Sequence, residues 1–120
     1  VLLIRAYSDT GKIFFVEGHH DALTAILLGI DFVMVPSSGY RCNNPEILYD
    51  IVTGMDIVFL VEDEAAHKCM YRFAEQIMDI AYSVTLKQLG KTGKNKKKVD
   101  LSDFVQSCSS QAEVYDGIYD

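Results

Sequence analysis

The chain has 120 residues, 49% of them apolar, and a formal net charge of −6. That length fits one domain and the apolar content is enough to bury a core. The acidic balance argues against a general nucleic-acid coat protein, and no apolar run approaches the roughly 20 residues of a membrane span, so no membrane partner is expected. Val1-Leu2-Leu3-Ile4 opens the chain without a Met, which reads as a domain excised from a longer protein. Cys42, Cys69 and Cys108 are an odd count with no pair spacing. Free thiols in a reducing cytoplasm are the plain reading, and Cys69 falls on a predicted core face.

In chain order, Lys12 to Glu17 carries the unbroken apolar, β-prone run Ile13-Phe14-Phe15-Val16, the pattern of a strand buried on both faces. Asp21 to Gly29 is rich in Ala, Leu and Ile and predicts a well-buried helix closed by Gly29. Phe32 to Val35 is a second strand, stopped by Pro36, and Ser37-Ser38-Gly39-Tyr40 is a turn-rich loop. Pro45 to Val52 predicts a helix with Pro near its first turn. Ile57 to Val61 is a third strand. From Ala65 to Ala81, apolar residues recur at three- and four-residue steps, which makes an amphipathic helix. Tyr82 to Leu86 is a fourth strand. Residues 90–98, Gly-Lys-Thr-Gly-Lys-Asn-Lys-Lys-Lys, form a low-complexity segment, an exposed loop because packing it would desolvate several ammonium groups. Six of the eleven basic residues, Lys87, Lys91, Lys94, Lys96, Lys97 and Lys98, lie in or beside it. Asp100 or Ser102 suits the cap of a short helix through Val105, and the last dozen residues are weakly patterned and expected to fray.

Strands alternating with helices, each strand apolar throughout, predict an α/β fold of about four mostly parallel strands with helices on both faces. With right-handed crossovers, the expected spatial order is second, first, third, fourth. The first and third strands are then neighbours at the switch point, where open α/β sheets bind ligands beyond the strands' carboxyl ends. The first strand ends in Glu17-Gly18 and the third in Glu62-Asp63-Glu64. Alternation along an extended segment points Glu62 and Glu64 the same way and Asp63 the opposite way. Carboxylates converging within a few ångströms repel unless a cation sits between them, and a hard divalent ion, Mg²⁺ or Mn²⁺, is the natural partner. The alternative reading is structural, since acids commonly end strands and cap helices.

Phe15-Val16-Glu17-Gly18-His19-His20-Asp21-Ala22 resembles the first Toprim motif: an apolar strand, Glu-Gly, two variable residues, then Asp. Phe59-Leu60-Val61-Glu62-Asp63-Glu64-Ala65-Ala66-His67 resembles the second, where an apolar strand runs into Asp-x-Asp, two further residues and Gly. Asp100-Leu101-Ser102-Asp103-Phe104-Val105 is similar to the Asp-Pro-Asn-Asp-Tyr-Leu kind of segment of bacterial and phage-type DNA primases. The resemblance covers roughly residues 12–105 within a single domain of residues 1–120. It implies a compact Rossmann-like Toprim fold and a part in primase-type nucleotidyl transfer during DNA replication, in a bacterium or mobile element. The alternatives are a Toprim-type nuclease or a catalytically degenerate nucleic-acid-binding module. Carried over, Glu17 is the catalytic residue, Glu62 and Glu64 are the metal ligands for Mg²⁺ or Mn²⁺, and Asp21 is the motif's structural acid; Asp63, His67 and Asp100 support the site. Implied partners are single-stranded DNA or RNA, nucleotides, and other domains of the parent protein, a helicase among the candidates. Both Asp positions of the pair are Glu here, and His67 stands at the Gly position. These departures bear on catalysis more than on fold.

Lys94, Lys96, Lys97 and Lys98 follow the fourth strand on the same sheet edge as the acids and are candidates for nucleic-acid contact, with a solvated loop as the alternative. Arg41, after the second strand, is a further candidate for a phosphate, against an ordinary loop. His19, His20 and His67 with Cys42 and Cys69 fit no common zinc spacing. Acids at strand ends also describe receiver-type signalling domains, but no Asp phosphoacceptor ends the third strand and no fifth strand follows with its helix.

Overall fold

The computed structural model describes residues 3–6, 11–36, 46–62, 64–89 and 99–119. Five strands form one sheet: β1 (Leu3–Arg5), β2 (Lys12–Glu17), β3 (Phe32–Val35), β4 (Asp56–Val61) and β5 (Ser83–Gln88), in the order β1-β3-β2-β4-β5. The four-strand part β3-β2-β4-β5 is parallel throughout and in the order expected from sequence. The opening apolar run supplies an added edge strand, β1, which pairs antiparallel with β3.

The unbroken apolar strands split their side chains between two cores, as the two-residue repeat of a strand requires. Ile13 and Phe15 of β2, Val33 and Val35 of β3, and Ile57, Phe59 and Val61 of β4 face one side. There α2 (Glu46–Val52) and α3 (Glu64–Ile77) cover them with Leu48, Val52, Met70, Phe73 and Ile77. Phe15 lies 4.5 Å from Phe59 and 5.6 Å from Phe73 between ring centroids. Phe14 and Val16, Phe32 and Met34, and Val58 and Leu60 face the other side. That side is covered by α1 (Gly18–Leu28), α4 (Leu101–Ser107) and α5 (Gln111–Tyr119) through Ala22, Ala25, Leu101 and Ile118. Fully burying a Leu, Ile or Phe side chain contributes about 1.5–3 kcal/mol, so both faces drive folding.

Three expectations are corrected. The chain is not frayed through Tyr119: α5 buries Val114 and Ile118, and Tyr119 meets Phe14 edge-on with centroids 5.1 Å apart. Cys69 is exposed; the inward stripe of α3 runs through Ala66, Met70, Phe73, Ala74 and Ile77, and a turn of about 100° per residue from Met70 leaves Cys69 on the flank. The helix closed by Gly29 is only half-buried: Asp21, Ala22 and Ala25 face inward, while Leu23, Ile26 and Leu27 are exposed. Gly29 does close it, at φ 73°, with its N–H donating to the carbonyls of Ala25 and Ile26. Among the described residues no helix is long and apolar enough to cross a membrane.

Candidate functional site: an acidic cleft at the switch point

The parallel pairing of β2 with both β3 and β4 brings the carboxyl ends of β2 and β4 side by side. β2 passes into α1 through Gly18, whose φ of 81° lies in the left-handed region that a residue with a side chain seldom adopts. This turn presents Glu17, the residue just before α1, at the mouth of a cleft of about 130 Å³. Glu62 lines the same cleft from the end of β4, with Asp21, Asp100, Gly18 and Leu60. Val99 donates its N–H to the Glu62 carbonyl at 3.3 Å, which ties the chain entering α4 to the end of β4. The cleft has room for a hydrated cation or a phosphate group.

Asp21 joins two walls of this cleft. Asp21 is 4% exposed, and its carboxylate accepts the N–H of Leu101 and the N–H of Ser102, both at 3.2 Å, with the Ser102 hydroxyl also donating to it at 3.2 Å. Thr24 and Ser102 share a further hydroxyl–hydroxyl bond of 2.7 Å. The start of α4 is thus capped twice. Asp100 accepts the Asp103 N–H at 2.8 Å and the Asp103 carboxylate accepts the Asp100 N–H at 3.4 Å, a reciprocal capping box with Asp in the place of the usual Glu. Asp21 adds acceptors from across the fold. Burial pushes the Asp21 carboxyl above its ordinary value; the hydrogen bonds from Leu101 and Ser102 pull it down, and the Asp100 charge pushes it up.

Glu64 does not line this cleft. It lines a separate pocket with His67, Lys68 and Gln88. The extended alternation that would align Glu64 with Glu62 stops at the end of β4, because Glu64 already begins α3 and a helix turns side chains by about 100° per residue. Among the described residues no group of three or more His, Cys, Asp and Glu side chains is arranged to hold a metal ion. The donor set of the cleft nevertheless suits a hard cation. Glu17 and Glu62 bring carboxylates to it from two adjacent strands. Mg²⁺ usually keeps several waters and takes one or two protein carboxylates together with substrate phosphates, so two carboxylates are an adequate open site.

Exposed His19 and His20 begin α1, and exposed His67 sits on the first turns of α3. Asp63, Arg41, Cys42, Lys94, Lys96, Lys97 and Lys98 lie outside the described residues. Sequence reasoning missed Ser102 and Thr24 as the bridge between α1 and α4; the polar Thr24 within the apolar run Ala22–Leu28 was the available signal. It also missed a small pocket where Lys12 and Lys87 meet beside Thr85 and Tyr119, with Lys12 donating to the Tyr119 carbonyl at 3.0 Å. Compared with models of protein families, with curated proteins and with solved structures, the chain shows no match.

Proposed function

We propose that this chain is a Toprim-type, metal-dependent nucleic-acid domain of a primase-like protein, supporting nucleotidyl transfer. One observation carries the reading: Glu17 and Glu62, each at the carboxyl end of a central parallel strand, line one cleft at the switch point of the sheet. Glu17 and Glu62 would hold Mg²⁺ or Mn²⁺ there, and the ion would supply charge stabilisation for phosphoryl transfer. The chain's own residues do the rest. Glu17 and Glu62 line the cleft with negative charge, and in this reading Glu17 accepts the proton of an attacking hydroxyl. Asp21 fixes α4 against α1 and so sets the width of the cleft. The lysines of residues 90–98 supply the cationic surface for a single-stranded template.

A second reading, a binding module that has lost catalysis, is favoured by the position of Glu64 outside the cleft and by the lack, among the described residues, of a three-ligand group. Calorimetric titration with Mn²⁺ separates the two. The proposed function expects one site at sub-millimolar to millimolar ion, abolished in Glu17→Gln/Glu62→Gln and weakened by a smaller factor in Glu64→Gln. A wild-type chain that binds no divalent ion at millimolar concentration establishes the binding module instead.

A further inference from the structure

A hydroxyl has one proton to give, and the Ser102 hydroxyl stands within hydrogen-bond distance of three oxygens of α1. These are the Thr24 hydroxyl at 2.7 Å, the Asp21 carboxylate at 3.2 Å and the His20 carbonyl at 3.4 Å. Thr24 has a choice as well, between Ser102 at 2.7 Å and the His20 carbonyl, one turn back, at 3.0 Å. The charge of Asp21 decides between the arrangements. A hydrogen bond to an ionised group is roughly twice as strong as one between neutral groups. While Asp21 is ionised, Ser102 therefore gives its proton to Asp21 and accepts that of Thr24. The result is a chain of donors running from Thr24 in α1, through Ser102 in α4, back to Asp21 in the first turn of α1. Bonds linked in this way strengthen one another.

Capping of α4 does not account for the two hydroxyls. The backbone N–H groups of Leu101 and Ser102 end on Asp21, and those of Asp100 and Asp103 end on each other's carboxylates. Those four donors of the helix start are satisfied without either hydroxyl. What the donor chain adds is a lateral tie between α4 and α1. Val99, Asp100 and Leu101, just ahead of Ser102, form one side of the cleft that Glu17 and Glu62 also line. Val99 is in turn bonded to the Glu62 carbonyl, so a sideways shift of α4 reaches the end of β4. We propose that Thr24 and Ser102 are positioning residues: their donor chain sets the distance between this wall and Glu62, and with it the affinity of the cleft for a divalent ion. The inference rests on the metal-dependent reading given above and adds to it two residues that do not line the cleft.

Calorimetric titration with Mn²⁺ of the wild type, Thr24→Val, Thr24→Ser and Ser102→Ala, beside urea melts of each, tests it. Thr24→Val keeps the branched shape at a half-buried site and removes the hydroxyl. It should weaken Mn²⁺ binding by about 2- to 10-fold, the worth of one ordinary hydrogen bond, and Ser102→Ala, which takes a donor from a charged group, by about tenfold or more. Thr24→Ser should restore the wild-type affinity. Without metal, amide exchange at Val99, Leu101 and Ser102 should quicken in Thr24→Val by a similar factor of about 2- to 10-fold, while the amides of β2 and β4 keep their rates. A Thr24→Val chain that binds Mn²⁺ as tightly as the wild type overturns the inference and leaves the metal reading standing, whether or not its urea midpoint falls. Unchanged exchange at Val99 and Leu101, or no rescue by Thr24→Ser, also overturns it. A wild-type chain that binds no Mn²⁺ overturns the inference and the metal reading together.

Discussion

A buried aspartate whose carboxylate accepts two backbone N–H groups stands between opposing effects. At Asp21 burial outweighs the hydrogen bonds, and the carboxyl is held above its ordinary value of 3.8. The folded chain then binds this proton more tightly than the unfolded chain does. The stabilisation from protonating Asp21 is complete below about pH 3.8 and is lost as the pH rises through the higher folded-state value. Asp21→Asn removes this titration, so the stability difference between wild type and variant should shift toward the wild type as the pH falls from 7 to 4. Urea melts across a pH series measure it, and a constant difference would show that Asp21 does not titrate in that window. Asp21→Ala has a separate effect: it takes the acceptor from the N–H of buried Leu101. An unsatisfied buried donor and a lost cap together cost about 1–3 kcal/mol, read as a lower urea midpoint at pH 7.

At the scale of elements, the second wall of the cleft depends on how α5 supports α4. Gly117 in α5 lies against the Phe104 ring of α4, and a Cβ at position 117 would come within 2.3 Å of the ring tip. Gly117→Ala gains about 1 kcal/mol of helix propensity and forces a half-buried ring to move, at a cost of about 1–3 kcal/mol. The net expectation is a loss of about 1 kcal/mol. Phe104→Leu in the same chain should recover most of it, giving a favourable coupling in a double-mutant cycle; additive effects would mean that the ring swings aside freely. Because Asp100 caps α4 and Leu101 begins it, and both line the cleft, the proposed function expects Gly117→Ala to weaken Mn²⁺ binding as well. A change in α5 is thus expected to reach the site through α4.

Over the whole molecule the charge is divided between an acidic body and one basic segment. Lys94, Lys96, Lys97 and Lys98 stand in a chain of net −6, so replacing all four by Ala takes the net charge to −10 (−6 − 4). If that segment carries the template, the four changes remove up to four phosphate contacts. The slope of log K against log salt for a single strand should then flatten by up to about 3. Fluorescence anisotropy with a labelled oligonucleotide from about 25 to about 300 mM salt, where the screening length falls from roughly 20 to 6 Å, reads this directly. An unchanged slope would return the segment to a solvated loop.

The sequence by itself determined the order and direction of the four central strands, the stop at Gly29, a cap at Asp100 or Ser102, between which the structure chose Asp100, and the placing of Glu17 and Glu62 at adjacent strand ends. Those features follow from short-range rules: a two-residue repeat, a left-handed stop, a side chain reaching three residues ahead, and right-handed crossovers. The tertiary structure alone decided the rest. It put Glu64 beyond the cleft, because a helix begins where extended alternation was expected to continue. It paired the opening run with β3 and packed α5 onto Phe14, since both bury their apolar residues against partners distant in sequence. It gave Asp21 its role through Leu101 and Ser102, some eighty residues away. It also left Leu23 and Leu27 in solvent, because an apolar residue records only that burial is favourable, while the elements packed around it decide whether burial happens within one chain.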